Sequence, residues 1–176
     1  AHEMFAVDAY LDEAAIAVSH LHGLGFNLAY QLNTTGFAAE AALRLWKKTG
    51  KRRYLALSEN CMANILDNMW LWQCTYENAR HYPTFFGMFP LRDAPYLAPY
   101  EELEAHAKCH EFLNFGGDDI RPSLKLLLSE YQKYALDRCW YYFPDALPVD
   151  VVAEKARNGR IERDLSVTLE DLQDGR

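Results

Sequence analysis

The stretch from residue 51 to residue 78 places apolar residues on two sides of one helix, and this limits the chain more than any other feature. Tyr54, Leu57, Cys61, Ile65, Asn68, Leu71 and Thr75 recur at helical spacing as one stripe. Leu55, Met62, Leu66, Met69 and Trp72 form a second. A helix with two apolar stripes is buried on more than one side, as an inner helix surrounded by others would be. The residues before it form a shorter helix, 37–49, closed by Gly50, where a left-handed backbone costs least. Together these segments read as an antiparallel helical hairpin spanning 37–78.

The same arrangement recurs downstream. Residues 99–114 read as helix, opening with Glu101 and Glu102, which suit the positive end of a helix. Phe115-Gly116-Gly117 ends it. A longer helix follows over 120–143, with Pro122 tolerated in its first turn and Asp118 or Asp119 available as its cap. Pro144 and Pro148 stop it. The second hairpin therefore covers 99–143, about 70 residues after the first, too long a period for tetratricopeptide repeats. A leading helix, 5–33, with a kink at Gly23 and Gly25, precedes the hairpins and is broken by Asn33-Thr34-Thr35-Gly36. The last residues, 149–176, are polar and weakly helical. No strand-like alternation persists, so the expected class is all-α, a single domain of antiparallel helical hairpins.

Composition excludes several functions. A net charge of −7 argues against a nucleic-acid partner, which would leave a clustered basic face. The one basic run, Lys47, Lys48 and Lys51 to Arg53, lies at a helix end and is read as completing the helix C-terminus rather than binding phosphate. No apolar stretch reaches the roughly 18–20 residues a membrane span needs. Cys61, Cys74, Cys109 and Cys139 all fall within expected helices without paired spacing, and are read as reduced core thiols. A cytoplasmic setting follows, with a secreted or periplasmic one left open. The chain begins without Met and ends without a clear cap, which raises the expectation of a fragment of a longer protein.

The segment Ala42-Leu43-Arg44-Leu45-Trp46-Lys47-Lys48-Thr49-Gly50-Lys51-Arg52-Arg53-Tyr54-Leu55-Ala56-Leu57 resembles the hairpin turn of the six-hairpin, (α/α)6-toroid glycosidase-like family. There a helix ending in Leu-aromatic-x-x-Thr-Gly turns directly into one beginning Arg-Tyr-Leu. The resemblance is close over about sixteen residues and extends to about 110 if the second hairpin counts. It implies part of an (α/α) toroid and a carbohydrate partner, though a shared fold does not establish activity. Two hairpins and a leading helix make about half a ring. Their open apolar edges then call for the rest of the ring, a homo-oligomer, or closure into a bundle.

Up-and-down topology puts the turns at Gly50 and at 115–119 at one end. The connections at 33–36, 79–98 and 144–148 lie at the other. The second end holds the long loop, and long loops are often functional. Trp70, Trp72, Tyr76, Tyr82, Phe85, Phe86 and Tyr96 gather there, and flat aromatic faces beside polar groups suit a sugar ring; Trp72 and Phe86 are read as core. Glycoside hydrolysis needs two carboxylates, one as acid and one as base or nucleophile, and Glu77 and Asp93 are the candidates, with Asp145 in reserve. A polysaccharide lyase would instead need a group neutralising a uronate and a base for the neighbouring proton, roles open to Asn33, His81, Tyr82 and Arg92. The substrate-binding set is thus Asn33, Trp70, Tyr76, His81, Tyr82, Arg92 and Tyr96. A non-catalytic interaction module is the third reading.

No cofactor is expected. His106 and His110, spaced i,i+4 beside Cys109 with Glu102 a turn earlier, lack the Glu of the zinc-protease pattern, and no metal is assigned to them. His20 and His22, two apart on a helix, point away from each other.

Overall fold

The computed structural model describes residues 1–28, 31–74, 76–81, 84–88 and 98–141, together with residues 148, 150, 161–162 and 166–167. Its α-helices are α1 (His2–Phe5), α2 (Asp8–Ser19), α3 (Leu32–Thr49), α4 (Arg52–Asp67), α5 (Pro99–Gly116), α6 (Pro122–Lys133) and α7 (Ala135–Tyr141). The class is all-α, built on antiparallel helical hairpins. A two-stranded ribbon, β1 (Met69–Trp72) with β2 (Thr84–Met88), is attached at one end.

The turns form for the reasons the residues suggest. Gly50 takes φ 67°, and its N–H closes α3 onto the Trp46 carbonyl. Gly117 takes φ 56° beyond α5, and Pro122 sits in the first turn of α6. The stripe on α4 is the core: Tyr54, Leu57, Cys61 and Ile65 are buried, as are Leu55 and Met62 on its second side. They pack against Ala39, Ala42 and Leu43 of α3, with Cys109 and Phe112 of α5 and Leu128 and Tyr131 of α6 completing the cluster. Full burial of each large side chain contributes about 1.5–3 kcal/mol.

The two hairpins stand in register. Asn33 Nδ2 donates to Glu104 (2.7 Å), Lys108 Nζ to Glu40 (2.8 Å), and Lys47 Nζ to Asp119 (2.7 Å). These contacts, 71, 68 and 72 residues apart, run in the same order along both helices. Hence α3 and α5 lie parallel. Helix α4 returns against α3, with Ser58 Oγ bonded to the Ala39 carbonyl at 2.6 Å, and α6 returns against α5, with Tyr131 Oη 3.2 Å from Glu102. The close Lys47–Asp119 pair also sets the two hairpin turns side by side, as the topology predicts.

Several boundaries differ from expectation. The leading helix 5–33 is divided: Ala6 in the left-handed region ends α1, and Gly23 (φ 87°) and Gly25 (φ 56°) end the path of α2 with a turn rather than a kink. Asn33-Thr34-Thr35-Gly36 does not break a helix but begins one. Thr34 and Thr35 hydroxyls both donate to the Gln31 carbonyl, at 2.9 and 2.7 Å, and hold the first turn of α3. Helix 51–78 stops at Asp67. Asn68 donates its side-chain amide back to Asn64, and the following Met-Trp-Leu-Trp run, rich in residues that favour a pleated surface, pairs as a strand. Strand pairing here takes the place of the last turns of the expected 51–78 helix, and Cys74 therefore lies beyond β1, outside any helix. Helix 120–143 is interrupted at Tyr134. The polar tail contains a short strand pair, Ile161–Glu162 with Ser166–Val167.

Asp118 and Asp119 do not cap α6, which begins after Arg121 without a side-chain cap. A short 3-10 turn, Gly117–Asp119, carries them outward, where Asp118 pairs with Lys125 (2.8 Å) and Asp119 with Lys47.

Candidate functional site

At the loop end, the turn after β1 is fixed by a tyrosine from the far end of the second hairpin. The buried Tyr141 hydroxyl accepts the Ala79 N–H (2.7 Å) and donates to the Tyr76 carbonyl (3.0 Å). The rings of Tyr76 and Tyr141 meet edge to face, 5.5 Å between centroids, and Cys74 Sγ lies 3.1 Å from the same Tyr76 carbonyl. Burial, with the neighbouring Cys74, pushes the Tyr76 phenol up to about 12. Burial likewise raises that of Tyr141, against the opposing effect of the Ala79 N–H. Both rings therefore stay neutral donors and acceptors at ordinary pH.

This staple holds Glu77 in an unusual backbone conformation. Glu77 takes φ 50°, a left-handed setting uncommon outside glycine, and its side chain is exposed. Such settings persist where surrounding structure enforces them, and they concentrate at functional sites. His81, also exposed, lies 3.2 Å from Arg80 Nε through its Nε2. Trp70 is half-buried on β1. The structure thus brings Trp70, Tyr76, Glu77 and His81 onto one ribbon-and-turn unit. Asn33 is committed elsewhere, to Glu104 across α3 and α5 and to the backbone of Thr34. Tyr82, Arg92, Asp93, Tyr96 and Asp145 lie outside the described residues.

Of the histidine pair on α5, His106 packs against α6 and the exposed His110 stays with its own helix. The His106 ring packs 5.7 Å from that of Tyr131, and His110 Nε2 lies 2.8 Å from Asn114 Nδ2. Among the described residues no cluster of three or more His, Cys, Asp or Glu side chains has the placement to hold a metal. Cys61, Cys74 and Cys109 are buried, and burial raises the Cys61 thiol to about 12, making it unreactive at neutral pH. Among the described residues no helix is long and apolar enough to cross a membrane.

A second concave site was not foreseen from the sequence. Helices α4 and α6 and the 22–26 turn line an open groove of about 630 Å³, with Phe26, Arg53, Glu59, Asn60, Arg121 and Ser123 among its walls. The turn is tied to its floor by Asn60 and Asn64, both donating to the Gly25 carbonyl at 3.2 and 3.0 Å. The available signal was Glu59, Asn60 and Asn64, polar residues on or beside the apolar stripes of that helix. No protein-family profile, curated protein or solved structure matches this chain.

Proposed function

We propose that this chain is a carbohydrate-active helical-hairpin protein, part of an (α/α) toroid of the glycosidase-like kind, with glycoside hydrolysis as its chemistry. The observation that carries this reading is the hairpin register. Equivalent helices α3 and α5 lie parallel at a spacing of about 70 residues, bridged at Asn33–Glu104 and Lys47–Asp119, which is how successive units of such a ring are arranged. The loop end adds support: a stapled tyrosine turn presents Glu77 in an enforced backbone conformation, on the same ribbon-and-turn unit as Trp70 and His81. Glu77 is assigned the role of one carboxylate of the pair, with Asp93 as its partner, and Tyr76 and Trp70 as the sugar-stacking surface.

The test is binding and turnover of neutral and acidic oligosaccharides by the full chain. Tyr76→Ala should weaken sugar binding, and Glu77→Gln should reduce hydrolysis by about a hundredfold or more, the scale of a lost acid–base group. Turnover unaffected by Glu77→Gln would remove Glu77 from the mechanism. The absence of binding to any oligosaccharide in the series would remove the carbohydrate reading.

A non-catalytic interaction module is the second reading, favoured by one observation. Leu103, Leu126 and Leu136, on α5, α6 and α7, are 63%, 62% and 89% exposed. Light scattering on the eluting protein distinguishes the two: a monomer at all concentrations counts against self-association through these residues.

A further inference from the structure

The groove between α4 and α6 has a charge imbalance opposite to that of the whole chain. The acidic groups around it are already matched: Glu59 to Arg121, Asp118 to Lys125 and Asp119 to Lys47, each within 2.8 Å. Arg53, on the wall of the groove, has no carboxylate partner among the described residues, and neither has Arg52, which lines the neighbouring concavity. In a chain of net charge −7, an unmatched guanidinium on a cavity wall is a local reversal of sign.

Arg53 is also held in place. Its Nη2 donates to the Tyr54 hydroxyl at 2.9 Å, and its guanidinium carbon stands 4.8 Å from the centre of that ring. Tyr54 is itself buried in the core, and the His22 ring lies 6.5 Å from it on the groove side. One edge of the Arg53 fork is therefore anchored, and its remaining N–H groups are free to meet a planar or tetrahedral oxyanion. Asn60 and Ser123 line the same space and offer hydrogen bonds, while Phe26 supplies an apolar wall. The cavity, about 630 Å³, has room for a molecule of one or two sugar rings.

We propose that this groove binds a small anionic sugar, with Arg53 gripping its carboxylate or phosphate and Asn60 and Ser123 meeting its hydroxyls. This rests on the carbohydrate reading above but uses a different part of the molecule. Calorimetric titration with glucuronate, glucose 6-phosphate, glucose and inorganic phosphate tests it on the full chain. At least one anionic sugar should bind at least about tenfold more tightly than glucose, and the glucuronate and phosphate arms identify which oxyanion is preferred. Arg53→Ala should remove about tenfold or more of that affinity, and Arg53→Lys, which keeps charge but loses the fork, should fall between. Because Arg53 is exposed, unchanged circular dichroism and melting in both variants separates lost binding from lost folding. Glucose binding as tightly as both anionic sugars overturns the proposal. So does affinity indifferent to Arg53→Ala, no binding at all, or, where glucose 6-phosphate is the preferred sugar, inorganic phosphate binding as tightly. Neutral oligosaccharide binding that depends on Tyr76 but not Arg53 would overturn this inference while leaving the proposed function standing.

Discussion

The Glu59 carboxylate accepts two hydrogen bonds from Arg121, one from its backbone N–H and one from Nε, each 2.8 Å long and 62 residues distant in sequence. One carboxylate thus fixes both the first residue before α6 and the side chain that follows from it. Glu59 is buried while the Arg121 side chain is 71% exposed, so the pair is half in water and its worth is modest. Glu59→Gln keeps an acceptor for the backbone N–H but offers an amide where Nε needs a carboxylate. The expected loss is about 1 kcal/mol, read as a fall in Tm of about 2–4 °C for a chain of this size. Unchanged melting would show that the α4–α6 junction is held by packing alone.

Glu40 bridges the two hairpins electrostatically. Its carboxylate receives Arg44 from its own helix at 2.7 Å and Lys108 from α5 at 2.8 Å. Burial pushes its pKa up, but hydrogen bonding, chiefly from Lys108, outweighs this and holds it below the ordinary 4.5. A carboxylate whose folded pKa is depressed stabilises the fold above its unfolded pKa, and that contribution is lost as pH falls through the folded value. Wild-type stability should therefore decline below about pH 4.5. Glu40→Gln should lower stability at neutral pH by about 1–2 kcal/mol and flatten that acid limb. Denaturant titrations at pH 7 and pH 3.5 check it; a variant with the wild-type acid slope would exclude Glu40 as its source.

How far the sequence spoke depended on whether a residue's role was local. Gly50, Gly117 and Pro122 each act through their own backbone, and all three do in the structure what their chemistry requires. The α4 stripe was equally plain, because 3.6-residue spacing is a property of one helix. Roles set by distant partners were hidden. Asp118 and Asp119 look like caps until α3 brings Lys47 alongside. Met69 to Trp72 continues the apolar spacing of α4, and only pairing with Thr84–Met88 decides that it is a strand. The candidate site divides in the same way. Aromatic crowding near Tyr76 was visible, whereas the Tyr141 staple and the α4–α6 groove come from elements brought together over tens of residues.

Tyr141→Phe isolates that staple. The phenylalanine keeps the ring contact with Tyr76 but removes the oxygen that accepts the buried Ala79 N–H. A buried donor left without a partner costs about 1–3 kcal/mol. Faster hydrogen exchange at Ala79 and a lower Tm are expected. Tyr76 gives a second readout in the wild type. Its phenol is raised from 10 to about 12, so the stabilisation it supplies is complete below pH 10 and disappears as pH rises toward 12. Ultraviolet titration should show at least one tyrosine ionising well above 10, and an onset for all of them near 10 would contradict the buried setting.

Gly36 sits at a close approach of α3 and α5. A Cβ built there would lie 2.9 Å from Lys108 Cβ and 3.3 Å from its Cγ, with Ile65 Cδ1 at 3.8 Å. The obstructing atoms belong to the stem of Lys108 rather than its flexible end, and Lys108 is pinned further out by Glu40 and Glu111 at 2.8 and 2.7 Å. Two effects then oppose each other in Gly36→Ala. Alanine favours the helix by about 1 kcal/mol over glycine. Forcing apart a packed helix pair costs about 1–3 kcal/mol, and here it also strains the Glu40–Lys108 bridge. The second effect should win, leaving the variant about 1–2 kcal/mol less stable. Chemical denaturation measures the sum. A Gly36→Ala protein more stable than the wild type would mean that α5 moves away from α3 at little cost.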